Sequence, residues 1–108
     1  MTFEELLLKM KSGEELTPQQ CLSYTEVLVG EMCLLDTKLE TLIMDRAKYQ
    51  ADNRANHKSD KSCSNAWDMT DKGIEMIKIQ GRLRRIKEVK SALKSRLRVK
   101  ELEAKNIF

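Results

Sequence analysis

The sequence predicts an all-α fold, and three observations predict it. Charged residues make up 34% of the 108-residue chain and aromatic residues only 5%, a composition that suits long helices and disfavours a half-buried sheet. Apolar residues recur at steps of three and four over two stretches, 28–42 and 79–97, the period of a helix that buries one face. Helix-start signals stand immediately before the periodic stretches.

The first element is short. Thr2 followed by Glu5 fits a capping box, and Phe3, Leu6, Leu7 and Met10 share a helical face. Gly13 is placed to end this helix in the left-handed conformation, giving a helix over about residues 3–12. Three turns do not hold alone in water, so this helix must dock on something larger.

The second start is stronger. Thr17-Pro18-Gln19-Gln20 supplies a cap residue, a proline at the first helical position and a glutamine at the third. Leu28, Met32, Leu35, Leu39 and Leu42 then form the stripe, with Leu22, Val29 and Ile43 widening it. No breaker intervenes before Ala51–Asn53, so a helix over 18–52 is expected, roughly 50 Å long. Gly30 lies inside it, at a cost unless it allows a close crossing.

Residues 53–65, NRANHKSDKSCSN, lack apolar periodicity and are rich in turn formers, so they read as a polar loop. A second long helix is expected over 66–105, capped by Asn65 or by Thr70. On its wheel Ile79, Leu83, Ile86, Leu93 and Leu97 fall within a sector of about 80°. Trp67, the only tryptophan, either plugs the end of the helical core against Tyr49 or anchors the chain in a partner's pocket. Ile107 and Phe108 end a charged tail with two apolar residues able to dock on the body or on another subunit.

Two long amphipathic helices joined by a turn make an antiparallel, coiled-coil-like hairpin, and the whole chain reads as a single domain. The packing seam comprises Leu28, Met32, Leu35, Leu39 and Leu42 on one helix and Leu83, Ile86, Leu93 and Leu97 on the other. The first stripe is wider than one partner helix fills. The expectation is therefore a homodimer forming a four-helix bundle, against the alternative of a monomer covered by its N-terminal helix.

Charge is unevenly spread. Residues 1–52 sum to −5, whereas residues 78–100 sum to +9. The cations of that segment are Lys78, Arg82, Arg84, Arg85, Lys87, Lys90, Lys94, Arg96, Arg98 and Lys100. On the wheel Lys87, Lys94 and Arg98 lie on one flank of the apolar sector, with Arg84 further round. Lys78, Arg82, Arg85, Arg96 and Lys100 lie on the other, and Lys90 falls inside the sector. One reading makes them the solvated flanks of a seam facing Asp36, Glu40 and Asp45 of the other helix. A second turns the surplus toward the phosphates of DNA or RNA, and a third toward an acidic protein surface. Base stacking is not expected, because no aromatic residue interrupts the stretch.

No catalytic residue, cofactor or metal ligand set is assigned. His57 and Cys63 lie in the polar stretch without a rigid frame or orienting partner, and they supply only two metal ligands. Gly13, Gly30, Gly73 and Gly81 are isolated, so no phosphate loop forms. The three cysteines are odd in number and far apart, which argues against a disulfide framework. The acidic start lacks the features of a secretory signal, and no apolar run approaches a spanning helix. The expectation is a cytoplasmic chain without a membrane partner. Its function is then that of a non-enzymatic adaptor or inhibitor, occupying a surface of a larger assembly that handles nucleic acid. The alternatives are a sequence-nonspecific DNA- or RNA-binding dimer and a purely structural dimerisation module.

Overall fold

The structure, a computed structural model, describes the backbone of residues 2–107 and the side chains of residues 2–105. The side chain of Ile107 and the whole of Phe108, read above as a docking tail, lie outside the described residues. Four α-helices follow one another: α1 (Phe3–Lys11), α2 (Pro18–Asn53), α3 (Asp60–Asp68) and α4 (Asp71–Ile107), with a 3-10 turn at Arg54–Asn56 after α2. Among the described residues there is no strand.

Both early helix starts are closed reciprocally. Thr2 Oγ1 accepts from the Glu5 backbone N–H at 3.2 Å while the Glu5 carboxylate accepts from Thr2 N–H at 3.3 Å. Thr17 and Gln20 repeat the exchange at 3.1 and 3.0 Å. Each pair satisfies two donors that a helix start otherwise leaves open. Gly13 follows the end of α1 with φ +72°, the left-handed geometry that a residue without Cβ adopts at no steric cost.

The stretch expected as a loop over 53–65 is mostly helical, and the second long helix begins at Asp71 rather than near residue 66. Two local interactions account for the difference. Ser59 caps α3, its hydroxyl accepting from Ser62 N–H at 3.1 Å. Cys63 and Trp67, one turn apart, then bury the same face of α3. The break between α3 and α4 is set by Thr70, whose hydroxyl donates to the Trp67 carbonyl at 2.6 Å and accepts from Gly73 N–H at 3.0 Å.

The chain forms two compact units. The first contains residues 2–32 and 84–107, with Phe3, Leu6, Leu16, Cys21, Leu28, Ile86, Val89 and Leu93 as its buried apolar residues. Here α1 docks on the start of α2, where Lys9 Nζ donates to Tyr24 Oη at 3.4 Å and lies 5.9 Å from the ring centre. The second unit contains residues 33–83 and buries Leu42, Cys63, Trp67, Met76, Ile79 and Leu83. In it Trp67 packs on Tyr49 with ring centres 5.5 Å apart and planes tilted by 54°. Gln50 reaches Ser64 at 3.2 Å, and Lys72 pairs with Asp45 at 3.1 Å.

Two glycines inside helices have opposite meanings. A Cβ added at Gly73 would lie 2.0 Å from the Trp67 carbonyl oxygen, a backbone atom held by the Thr70 hydroxyl. Gly30 is exposed, and a Cβ there would meet nothing within 4 Å, so no close crossing explains it. Urea unfolding followed by circular dichroism should show Gly73→Ala destabilised by about 1–3 kcal/mol, the usual penalty of overpacking. Gly30→Ala should be stabilised by about 0.5–1 kcal/mol. Equal effects of the two substitutions would contradict the α3–α4 junction described here.

Candidate interaction surface on α4

The positions that α4 buries fix where its cations point. In the second unit the buried residues are Met76, Ile79 and Leu83, and in the first they are Ile86, Val89 and Leu93. Steps of three and four keep such residues on one face, so the residues between them turn away from it.

In the first unit Arg84, Lys87, Lys94 and Arg98 are all exposed. With Ser91, also exposed, they follow one another at steps of three or four and fall within about 80° of each other around the helix axis. From Arg84 to Arg98 the stripe is roughly 21 Å long. Among the described residues none of the four cations is held by an ion pair or a side-chain hydrogen bond.

The other flank of α4 in this unit is different. Arg85 is exposed, Arg96 is half-buried, and Lys100 pairs with Glu15 at 3.1 Å. Beside that pair an open depression of about 510 Å³ is lined by residues of both charges, among them Glu14, Glu15, Arg96, Lys100 and Glu103. Lys90 is half-buried in the apolar sector between Ile86 and Leu93, a position that suits an alkyl stem lying along apolar neighbours. The remaining two cations belong to the second unit: Lys78 is exposed, while Arg82 is half-buried and engaged by another residue.

The acids proposed as partners for these cations do not serve that role. Asp36 and Glu40 are exposed and form no ion pair among the described residues. Asp45 pairs with Lys72, which precedes the basic stretch. The physical reason is helix rotation. Asp36 and Glu40 each follow a seam leucine by one position, Leu35 and Leu39, which turns them about 100° off the packed face.

Of the residues expected in the packing seam, Leu28, Leu42, Leu83, Ile86 and Leu93 are buried, and Met32, Leu35, Leu39 and Leu97 are half-buried. Leu22, Val29 and Ile43, expected to widen it, are instead exposed at 55%, 40% and 49%. The inward face of α2 is therefore narrower than its apolar stripe. It also continues further, because Arg46, Tyr49 and Asn53 are half-buried at steps of four, three and four beyond Leu42. Tyr49 is the core partner expected for Trp67, whereas the polarity of Arg46 and Asn53 hides them and only the spacing signals them.

Trp67 is 3% exposed in the second unit. Its ring stacks obliquely on Tyr49, so it is not presented as an anchor for a partner's pocket. His57 is half-buried rather than free in a loop, with Nδ1 3.2 Å from Ser62 Oγ. Cys63 is buried, Cys21 is buried and Cys33 is exposed, all as free thiols. Among the described residues no three His, Cys, Asp or Glu side chains are grouped to hold a metal ion, and no helix is long and apolar enough to cross a membrane. No protein-family model, curated protein or solved structure matches the chain.

Proposed function

We propose that this chain is a non-enzymatic helical interaction protein, an adaptor or inhibitor that occupies an anionic surface of a larger assembly with the basic stripe of α4. The observation that supports this reading is the stripe itself: Arg84, Lys87, Lys94 and Arg98 are exposed and aligned, and among the described residues they form no ion pair. Four like charges held on one flank repel one another in the isolated chain, and an anionic partner relieves that repulsion. The opposite flank, with its Lys100–Glu15 pair and mixed charges, offers no comparable field.

Retention on immobilised heparin tests whether the stripe or the overall charge acts. Replacing Arg84, Lys87, Lys94 and Arg98 by Gln should lower the salt concentration of elution while circular dichroism shows unchanged helicity. Replacing the exposed Lys38, Lys48, Lys58 and Lys61 by Gln removes the same charge from other surfaces and should change elution much less. Equal losses in the two variants would overturn the reading.

Self-association belongs to the same reading and has its own support. Leu22 and Val29 lie within about 20° of each other around α2 in the first unit, both exposed. In the second unit Ile43 and Met44 stand exposed side by side. Apolar surface of this kind is covered at lower free energy by a second copy than by water. Sedimentation velocity at micromolar concentration should give twice the 12.5 kDa chain mass, and Leu22→Glu with Val29→Glu should return the monomer. A monomer mass for the unaltered chain at those concentrations would remove the dimer from the account.

A further inference from the structure

We infer that the partner of the α4 stripe is the phosphate backbone of a nucleic-acid duplex. The inference rests on the reading above, that this stripe is the interaction surface, and it names the chemistry the stripe fits.

Stable protein–protein interfaces place an apolar or aromatic core at the centre of the patch and leave charges at the rim. This stripe reverses that order. Between Arg84 and Arg98 the exposed positions are five cations, two serines and one acid, Glu88, with no apolar residue among them. Exposed apolar side chains on α4 lie only beyond the ends of the stripe, such as Ile77 before Arg84, and Val99 and Leu102 after Arg98. A protein partner would meet charge where its own hot spot belongs.

A phosphate backbone needs no such core. Duplex DNA carries one negative charge per roughly 1.7 Å of axis, so a stripe about 21 Å long spans a length of duplex carrying on the order of twelve phosphates on its two strands. Arg and Lys at steps of three and four keep their charged ends on one line, the arrangement that meets a line of phosphates. Two of the four are arginines, whose planar guanidinium donates two parallel hydrogen bonds to phosphate oxygens.

A single strand is a poorer fit. Strand-binding surfaces add aromatic rings on which bases stack, and α4 has no aromatic residue along its whole length. Phe3 and Trp67 are buried, and Tyr24 and Tyr49 are half-buried. The contact is therefore with backbone charge, without reading of bases.

The test measures binding of the full-length chain to a fluorescein-labelled 25-base-pair DNA duplex between 50 and 200 mM salt. Poly-L-glutamate of matched charge is the second probe. Four phosphate contacts correspond to a slope of log K against log salt of about −3.6, an affinity loss of roughly 150-fold over that range. The variant with Arg84, Lys87, Lys94 and Arg98 replaced by Gln should show a slope shallower by about that amount at unchanged helicity. Duplex binding with the same slope in chain and variant overturns the inference, because the contacts then lie elsewhere. Poly-L-glutamate bound as tightly as duplex also overturns it, while leaving the stripe as an interaction surface. Binding of neither probe at 50 mM salt overturns the inference and the reading on which it rests.

Discussion

Burial of one apolar face on each long helix is the constraint on which the rest of the structure depends. Magnitudes show why it governs. Truncating a fully buried Leu or Ile to Ala costs about 2–5 kcal/mol, and Leu28, Ile86 and Leu93 are all at 0% exposure. The ion pairs Lys72–Asp45 and Lys100–Glu15 each have one partner well exposed, a class of contact worth about 0.2–1 kcal/mol. Rotation of α4 about its axis is therefore chosen by its apolar residues, and its cations go where that rotation sends them. The stripe from Arg84 to Arg98 is a consequence of packing before it is an instrument of binding.

The same constraint explains why the positive charge stays uncompensated. Charge asymmetry along the sequence suggests that an acidic first half neutralises a basic second half. Asp36 and Glu40, however, sit one residue beyond seam leucines and face outward, and Asp45 is taken by Lys72. Neutralisation by sequence composition and neutralisation in space are different quantities. Only the second determines whether a helix presents a field to a partner.

Most of the helical content was legible in the sequence because it rests on local rules. Thr2 with Glu5, and Thr17 with Pro18 and Gln20, marked two helix starts, and the three-and-four spacing marked the faces that α2 and α4 bury. The segment from Asn53 to Thr70 was less legible. A nine-residue helix with two buried side chains, Cys63 and Trp67, gives too few apolar residues for a period to show, and its cap is a single serine. The width of the buried face of α2 is not legible either, since apolar character at Leu22, Val29 and Ile43 does not reveal whether a second surface reaches them. Conversely Arg46 and Asn53 occupy inward positions that composition alone assigns to solvent. The candidate surface was half legible: the wheel showed ten cations on two flanks, and which of them pair with acids needed the positions of Glu15, Asp36, Glu40 and Asp45.

The central claim is that Leu28, Ile86 and Leu93 are shielded while apolar residues elsewhere on the same helices face solvent. Hydroxyl-radical footprinting of the unaltered chain, read residue by residue by mass spectrometry, tests this without a substitution. Leu28 and Leu93 should be oxidised far more slowly than Leu34 and Leu102, which are 70% and 54% exposed, and Ile86 far more slowly than Val99. Oxidation of Leu28, Ile86 and Leu93 at the rates of those exposed residues would contradict the account at its base.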